Sequence, residues 1–103
     1  MITHAAVKIL LFDAWHNAKH ITIPCHRHCD AFLILKEFGY KKDEDFKEIE
    51  QGFLNEHGEF LNRIDAWHEA KRCNQFTQKY KDELAQENYY PDTHRQLFSE
   101  DIW

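Results

Sequence analysis

Ala5, Val7, Ile9 and Leu11 alternate with His4, Ala6, Lys8 and Leu10, and the run ends apolar on both faces. A period of two marks a strand with one face in a core, so residues 2–12 read as a strand. Asp13 to Lys19 is polar apart from Ala14, Trp15 and Ala18, and Asp13 and Asn17 favour a turn. His20-Ile21-Thr22-Ile23-Pro24 reads as a short second strand, with Ile21 and Ile23 on one face. Pro24 has no amide hydrogen and is expected to stop the ladder. The two strands predict a hairpin with a longer-than-minimal loop. A helix is expected from about His26 to Phe38, because Ala31, Phe32, Leu33, Ile34, Leu35 and Phe38 give a wide apolar face and Gly39 suits the C′ position. Lys41 to Glu50 holds five acids and three lysines around Phe46 and Ile49, which reads as a solvated linker or a short exposed helix.

The pattern then repeats. Residues 50–56 read as a strand, His57-Gly58 as a turn and Glu59-Phe60-Leu61 as a return strand. Asn62 is placed as a helix N-cap with Asp65 at N3, and the helix should run to about Asn74, burying Ile64, Ala66, Trp67, Ala70 and Cys73. Asp30-Ala31-Phe32 and Asp65-Ala66-Trp67 echo one another, and Arg27 and Arg63 stand just before each echo. The predicted fold class is α+β: two strand–strand–helix units whose antiparallel sheet carries both helices on one face, plus a polar C-terminal helical segment. Residues 1–75 form the tandem core. Residues 76–103 form an extension with a weak helical stripe at Phe76, Tyr80 and Leu84, a break at Asn88-Tyr89-Tyr90-Pro91, and last residues that should dock because Phe98, Ile102 and Trp103 are apolar.

Composition narrows the classes. At roughly 100–200 residues per domain, 103 residues make one domain. Hydrophobic residues at 43% exclude a disordered chain. A formal charge of −5 argues against non-specific nucleic-acid binding. There is no apolar run of ~18 residues and no signal-peptide pattern, so no membrane partner is expected. Three unevenly spaced cysteines fit free thiols in a reducing cytoplasm.

Candidate chemistry centres on three places. Cys25-His26-Arg27-His28-Cys29 holds four ligand-type side chains in five residues, and His68 with Cys73, or His57 with His68, would have to supply a second pair for zinc. Neither spacing is a standard one, and no metal or cofactor is assigned. Read without metal, Arg27 and His28 stand at a strand-to-helix junction, where free amides and the helix dipole favour an anion, and Arg63 holds the comparable junction of the second half. Both arginines would line one cleft if the halves face each other; otherwise Arg27 pairs with a surface acid. Gln51-Gly52-Phe53 is the third place: Gln51 can read a polar edge and Phe53 can stack on a ring, or Phe53 is simply core and Gly52 a bulge. The chain has no GxSxG, HExxH, Walker or GxGxxG motif.

Ile2-Thr3-His4-Ala5-Ala6-Val7-Lys8, Arg27-His28, Gln51-Gly52-Phe53, Gly58-Glu59-Phe60-Leu61-Asn62-Arg63, Ala66, Ala70 and the ending Leu97-Phe98-Ser99-Glu100-Asp101-Ile102-Trp103 together resemble a widespread family of small phage and prophage proteins. The family's short Gly-containing first hairpin is longer here, and Pro24-Cys25-His26 replaces its usual Gly-Lys. The resemblance implies a phage context in the host-cell cytoplasm and, by analogy, a role against host defence. The function expected first is capture of an anionic, nucleotide-like small molecule by His4, Arg27, His28, Gln51, Phe53 and Arg63, without catalysis and in a homo-oligomer. The alternatives are a protein–protein inhibitor of a host defence protein acting through an acidic surface, and a small nucleotide-acting enzyme using His4 or His28.

Overall fold

The computed structural model describes residues 1–15, 17–86 and 95–103. β1 (Ile2–Phe12) and β2 (Ala18–Cys25) form the first hairpin and lead into α1 (His28–Glu37). β3 (Phe46–Asn55) and β4 (Phe60–Asn62) form the second and lead into α2 (Arg63–Arg72). α3 (Gln78–Gln86) and a 3-10 turn at Ser99–Asp101 follow. The strands make one antiparallel sheet in the order β2-β1-β3-β4, so the hairpins join through β1 and β3. Ala5, Val7 and Ile9 are buried on one face of β1 and share a core with Phe53 of β3, Ala31 and Leu35 of α1, and Ala66, Trp67 and Ala70 of α2. Both helices therefore cover the same sheet face, giving the expected α+β fold.

The echo in the sequence is a structural repeat. Asp30 and Asp65 each stand at the third helical position: the Asp30 carboxylate accepts from the Arg27 amide at 3.1 Å, and the Asp65 amide donates to the Asn62 side chain at 2.7 Å. A carboxylate in the first turn also meets the positive helix end. The C-terminal ends match as well. Gly39 (φ 84°) and Asn74 (φ 54°) take left-handed backbone. The Tyr40 amide donates to the Leu35 carbonyl and the Gln75 amide to the Ala70 carbonyl, both at 2.9 Å. This is the Schellman arrangement twice over.

Three expectations are corrected. β2 begins at Ala18 and continues through Pro24, which faces Ala6 in register. β2 is an edge strand, so the missing amide hydrogen falls on the unpaired side and no ladder bond is lost. α1 begins at His28, because Arg27 is extended (φ −119°, ψ 145°) and acts as the N-cap. Residues 46–50 are strand. Phe46 is buried, while Lys47 and Glu50, opposite Leu10 and Lys8, carry the charge on the face the helices leave bare. A bulge at Ile49 breaks the alternation, since Lys8 pairs with Glu50 and Ile9 with Glu48. The bounds of the second unit shift slightly: β4 includes Asn62, α2 ends at Arg72, and Ile64 and Cys73 are half-buried. Phe76, Tyr80 and Leu84 pack against the core, and Trp67 Nε1 donates to the Tyr80 hydroxyl at 2.7 Å. The break expected at Asn88–Pro91 lies outside the described residues.

Candidate functional site

The starts of α1 and α2 lie near one another because β1 and β3 are neighbours and each hairpin delivers its helix to the same face. Four of the six residues singled out from sequence gather there. His28, the first residue of α1, is buried, with Nε2 2.7 Å from the Gly52 carbonyl and its ring edge-on to Phe53 at 5.1 Å. Burial holds His28 below its usual pKa, opposed by the hydrogen bond to Gly52. Neutral His28 therefore donates from Nε2 to that carbonyl. The glycine itself answers to β4: a Cβ at Gly52 would run into the Leu61 carbonyl and the Phe60 ring.

Arg63, the first residue of α2, donates from Nη1 to the Leu97 carbonyl and from Nη2 to Gln51 Oε1, both at 2.7 Å. Gln51 in turn donates to Glu48 at 2.6 Å. The Phe98 ring lies 4.6 Å from the guanidinium carbon. Burial lowers the Arg63 pKa, and the carboxylates of Glu100, Asp101 and Glu48 oppose the shift. Arg27 Nη1 donates to the Ser99 hydroxyl at 3.3 Å. Both arginines thus line one cleft, and the chain's own residues 97–103 fill it. Leu97 is fully buried, and its amide donates to the Arg63 carbonyl at 2.9 Å. Asp101 accepts from the Phe98 amide at 2.8 Å, and burial raises its pKa. Trp103 stacks on His26 at 5.5 Å and donates from Nε1 to the His26 carbonyl at 2.7 Å.

The other two residues stand apart from this cleft. Phe53 is enclosed in the core, and His4 is exposed on β1 with Nδ1 3.0 Å from the Thr3 hydroxyl. Cys25 is buried, which pushes its thiol up to about 11. Among the described residues, no three His, Cys, Asp or Glu side chains come together as a metal-ligand set.

A second concavity contains residues that the sequence reading did not single out. Phe32, Lys36, Tyr40, Lys41, Lys42 and Phe46 line a cavity of about 530 Å³ between α1 and the start of β3. The Phe32 and Phe46 rings stack at 6.4 Å, and Phe46 forms the buried floor. Lys42 Nζ lies 5.7 Å above the Phe32 ring and 3.7 Å from Glu48. The Lys41 amide donates to Asp45 at 2.7 Å, which fixes the turn carrying both lysines. The size suits a small molecule, and the arrangement offers ring faces beside ammonium groups. The available signal is the interleaving of Phe32, Tyr40 and Phe46 with Lys36, Lys41 and Lys42, which is split between the predicted helix and the charged stretch that begins at Lys41. A larger cleft, about 1070 Å³, lies at the tip of the first hairpin and is lined by Asp13, Asp43, Glu44 and Asp45 among others.

Over residues 1–103 the chain matches the family model described as phage T4 y16D protein, and it belongs to that family. No curated protein and no solved structure matches it. No helix among the described residues is long and apolar enough to cross a membrane.

Proposed function

We propose that this phage-family protein captures a small anionic molecule bearing a planar ring, nucleotide-like in class, in the groove of Phe32, Lys36, Tyr40, Lys41, Lys42 and Phe46. The observation that supports this reading is the gathering of three lysines around an aromatic floor in a chain of net charge −5. Ammonium groups pair with phosphates as point charges, and a ring face accepts a base by stacking. Arg27 and Arg63 can serve a ligand only if residues 97–103 leave their cleft, so the groove is the better seat. In a phage context, capture without turnover would withdraw a host signal.

The test is calorimetry of the full chain with ATP and inorganic triphosphate as probes. ATP should bind more tightly than triphosphate. The Lys41→Ala, Lys42→Ala pair should weaken ATP binding tenfold or more, because a hydrogen bond to a charged group is worth ~1.5–3 kcal/mol. Tyr40→Ala should erase the preference for ATP. No ATP binding, or binding that survives the lysine changes but is lost in Arg63→Ala, overturns the reading.

A further inference from the structure

Glu48 stands between the lysine groove and the cleft at the helix starts. Its Oε2 lies 3.7 Å from Lys42 Nζ at the groove, and its Oε1 accepts from Gln51 Nε2 at 2.6 Å. Gln51 Oε1 accepts from Arg63 Nη2, and Arg63 Nη1 donates to the Leu97 carbonyl, both at 2.7 Å. Lys42, Glu48, Gln51 and Arg63 thus form a chain of polar contacts from the groove to residues 97–103. The bulge at Ile49 builds it. Glu48 and Gln51 are an odd number of residues apart, which in a regular strand sets side chains on opposite faces. The extra residue brings both opposite core-facing positions of β1, Glu48 across from Ile9 and Gln51 across from Val7. The ends of the chain are held differently. The Lys42 side chain is 56% exposed and its contact with Glu48 is long, so water competes for it, whereas Gln51 and Arg63 are half-buried and their bonds are short.

We infer that Glu48 couples the groove to residues 97–103, so that an anion seated on Lys42 tightens the hold of Arg63 on that segment. The inference rests on the groove being the ligand seat. A phosphate and the Glu48 carboxylate are two anions competing for one ammonium, and they repel each other. When the phosphate takes Lys42, Glu48 keeps only its Gln51 side. A carboxylate that accepts more fully from Gln51 Nε2 polarises the amide, and Oε1 becomes a better acceptor for Arg63. The charge of Glu48 also favours the charged form of Arg63, and this attraction grows once Lys42 no longer offsets it. Coupling is reciprocal: a change that loosens the Arg63 end returns Glu48 to Lys42 and weakens the ligand.

Hydrogen exchange of the full chain tests this at the Leu97 and Trp103 amides, which donate to the Arg63 and Ser99 carbonyls. Saturating ATP should slow both by about two- to fivefold, the size of an exposed ion pair. Gln51→Leu cuts the chain, so ATP should still bind and the slowing should vanish. Glu48→Gln removes the shared charge: ATP should bind about threefold more tightly, and the two amides should no longer respond to it. Lys42→Ala tests the coupling without ligand, because it releases Glu48 as a bound phosphate would, and it should slow both amides about twofold. ATP that binds without slowing them overturns the inference and leaves the groove as the seat. Equal slowing in wild type and both chain variants overturns it too, since binding then stabilises the fold as a whole. If ATP does not bind, the groove reading falls and Lys42→Ala decides the coupling: slowed amides uphold it, and unchanged amides overturn it.

Discussion

After the buried alanine of each helix comes an aromatic residue, Phe32 in the first half and Trp67 in the second, and their surroundings differ. Trp67 is 1% exposed; its ring meets Phe76 at 5.3 Å and its indole nitrogen is bonded to Tyr80. Phe32 is half-exposed, over Phe46 and beside lysines. The difference comes from what the chain adds after the repeat. Phe76 and α3 pack on the second half and convert its aromatic residue into core, while residues 97–103 bond to the starts of both helices and leave the outer side of α1 bare. One folding unit thus serves twice, once as an anchor and once as an open surface.

The largest test of that contrast is truncation of the two rings. Trp67→Ala should cost about 3–5 kcal/mol, as for a fully buried aromatic. Phe32→Ala should cost less than half as much, since part of its ring already faces water. Urea unfolding of both variants measures this. Equal losses would mean that the first half is as firmly packed as the second.

The arginines that precede the echo give the next largest effect. Arg63→Ala removes two charge-assisted hydrogen bonds and leaves the Leu97 carbonyl and the Gln51 amide oxygen without their donor. A loss of roughly 2–3 kcal/mol is expected, with residues 97–103 loosened and more open to proteolysis. Arg27→Ala removes one long bond to an uncharged hydroxyl and should cost less than ~1 kcal/mol. If Arg63→Ala proves as mild as Arg27→Ala, the cleft is not held by its arginine.

Much of this frame was legible in the residues. The alternation in β1, Asn62 and Asp65 at a helix start, and the paired Asp-Ala-aromatic echoes all act through local rules of period and capping, so each pointed to its own element. Phe46 to Glu50 was not legible. Its charges are those of a strand's open face, and the bulge at Ile49 breaks the period that would have revealed it. The candidate site was half legible. Arg27, His28, Gln51 and Arg63 do converge, but nothing local announces that Leu97 and Ser99, far along the chain, take up their hydrogen bonds. The lysine groove joins a helix flank to a turn and a strand start, so it has no signature of fixed spacing.

A further difference between the halves is electrical. The first helical residue is His28 in α1 and Arg63 in α2. Burial lowers the pKa of folded His28, so the unfolded chain takes up a proton near pH 6.5 before the folded one does. The contribution of neutral His28 is therefore complete above about pH 6.5 and is lost as pH falls through that value toward the lower folded pKa. Asp101 acts in the opposite sense: its raised pKa favours the folded state at acid pH, and that contribution fades as pH rises through the folded value. Wild type minus His28→Gln, compared by urea midpoint between pH 7.5 and 5, isolates the histidine. The wild type should lose more stability than the variant on acidification. Parallel curves would show that His28 is as free to titrate in the folded chain as in the unfolded one.

The smallest effect lies where the two helices end. Gly39 and Asn74 occupy the same C′ position of the same motif, both with positive φ. A Cβ at Gly39 would meet nothing within 4 Å, so substitution there reports backbone preference alone. An L-residue in left-handed backbone costs roughly 1–2 kcal/mol, and asparagine is partly exempt because its short amide can bond locally. Gly39→Ala should therefore destabilise by about 1 kcal/mol, and Gly39→Asn by less. Asn74→Gly relieves that cost but gives the unfolded chain more freedom to lose, so the two terms nearly cancel and a change of only a few tenths of a kcal/mol is expected. A Gly39→Ala loss well above ~2 kcal/mol would show that the first half depends on this turn more than the second does, and that α1 is held by its end as much as by its face.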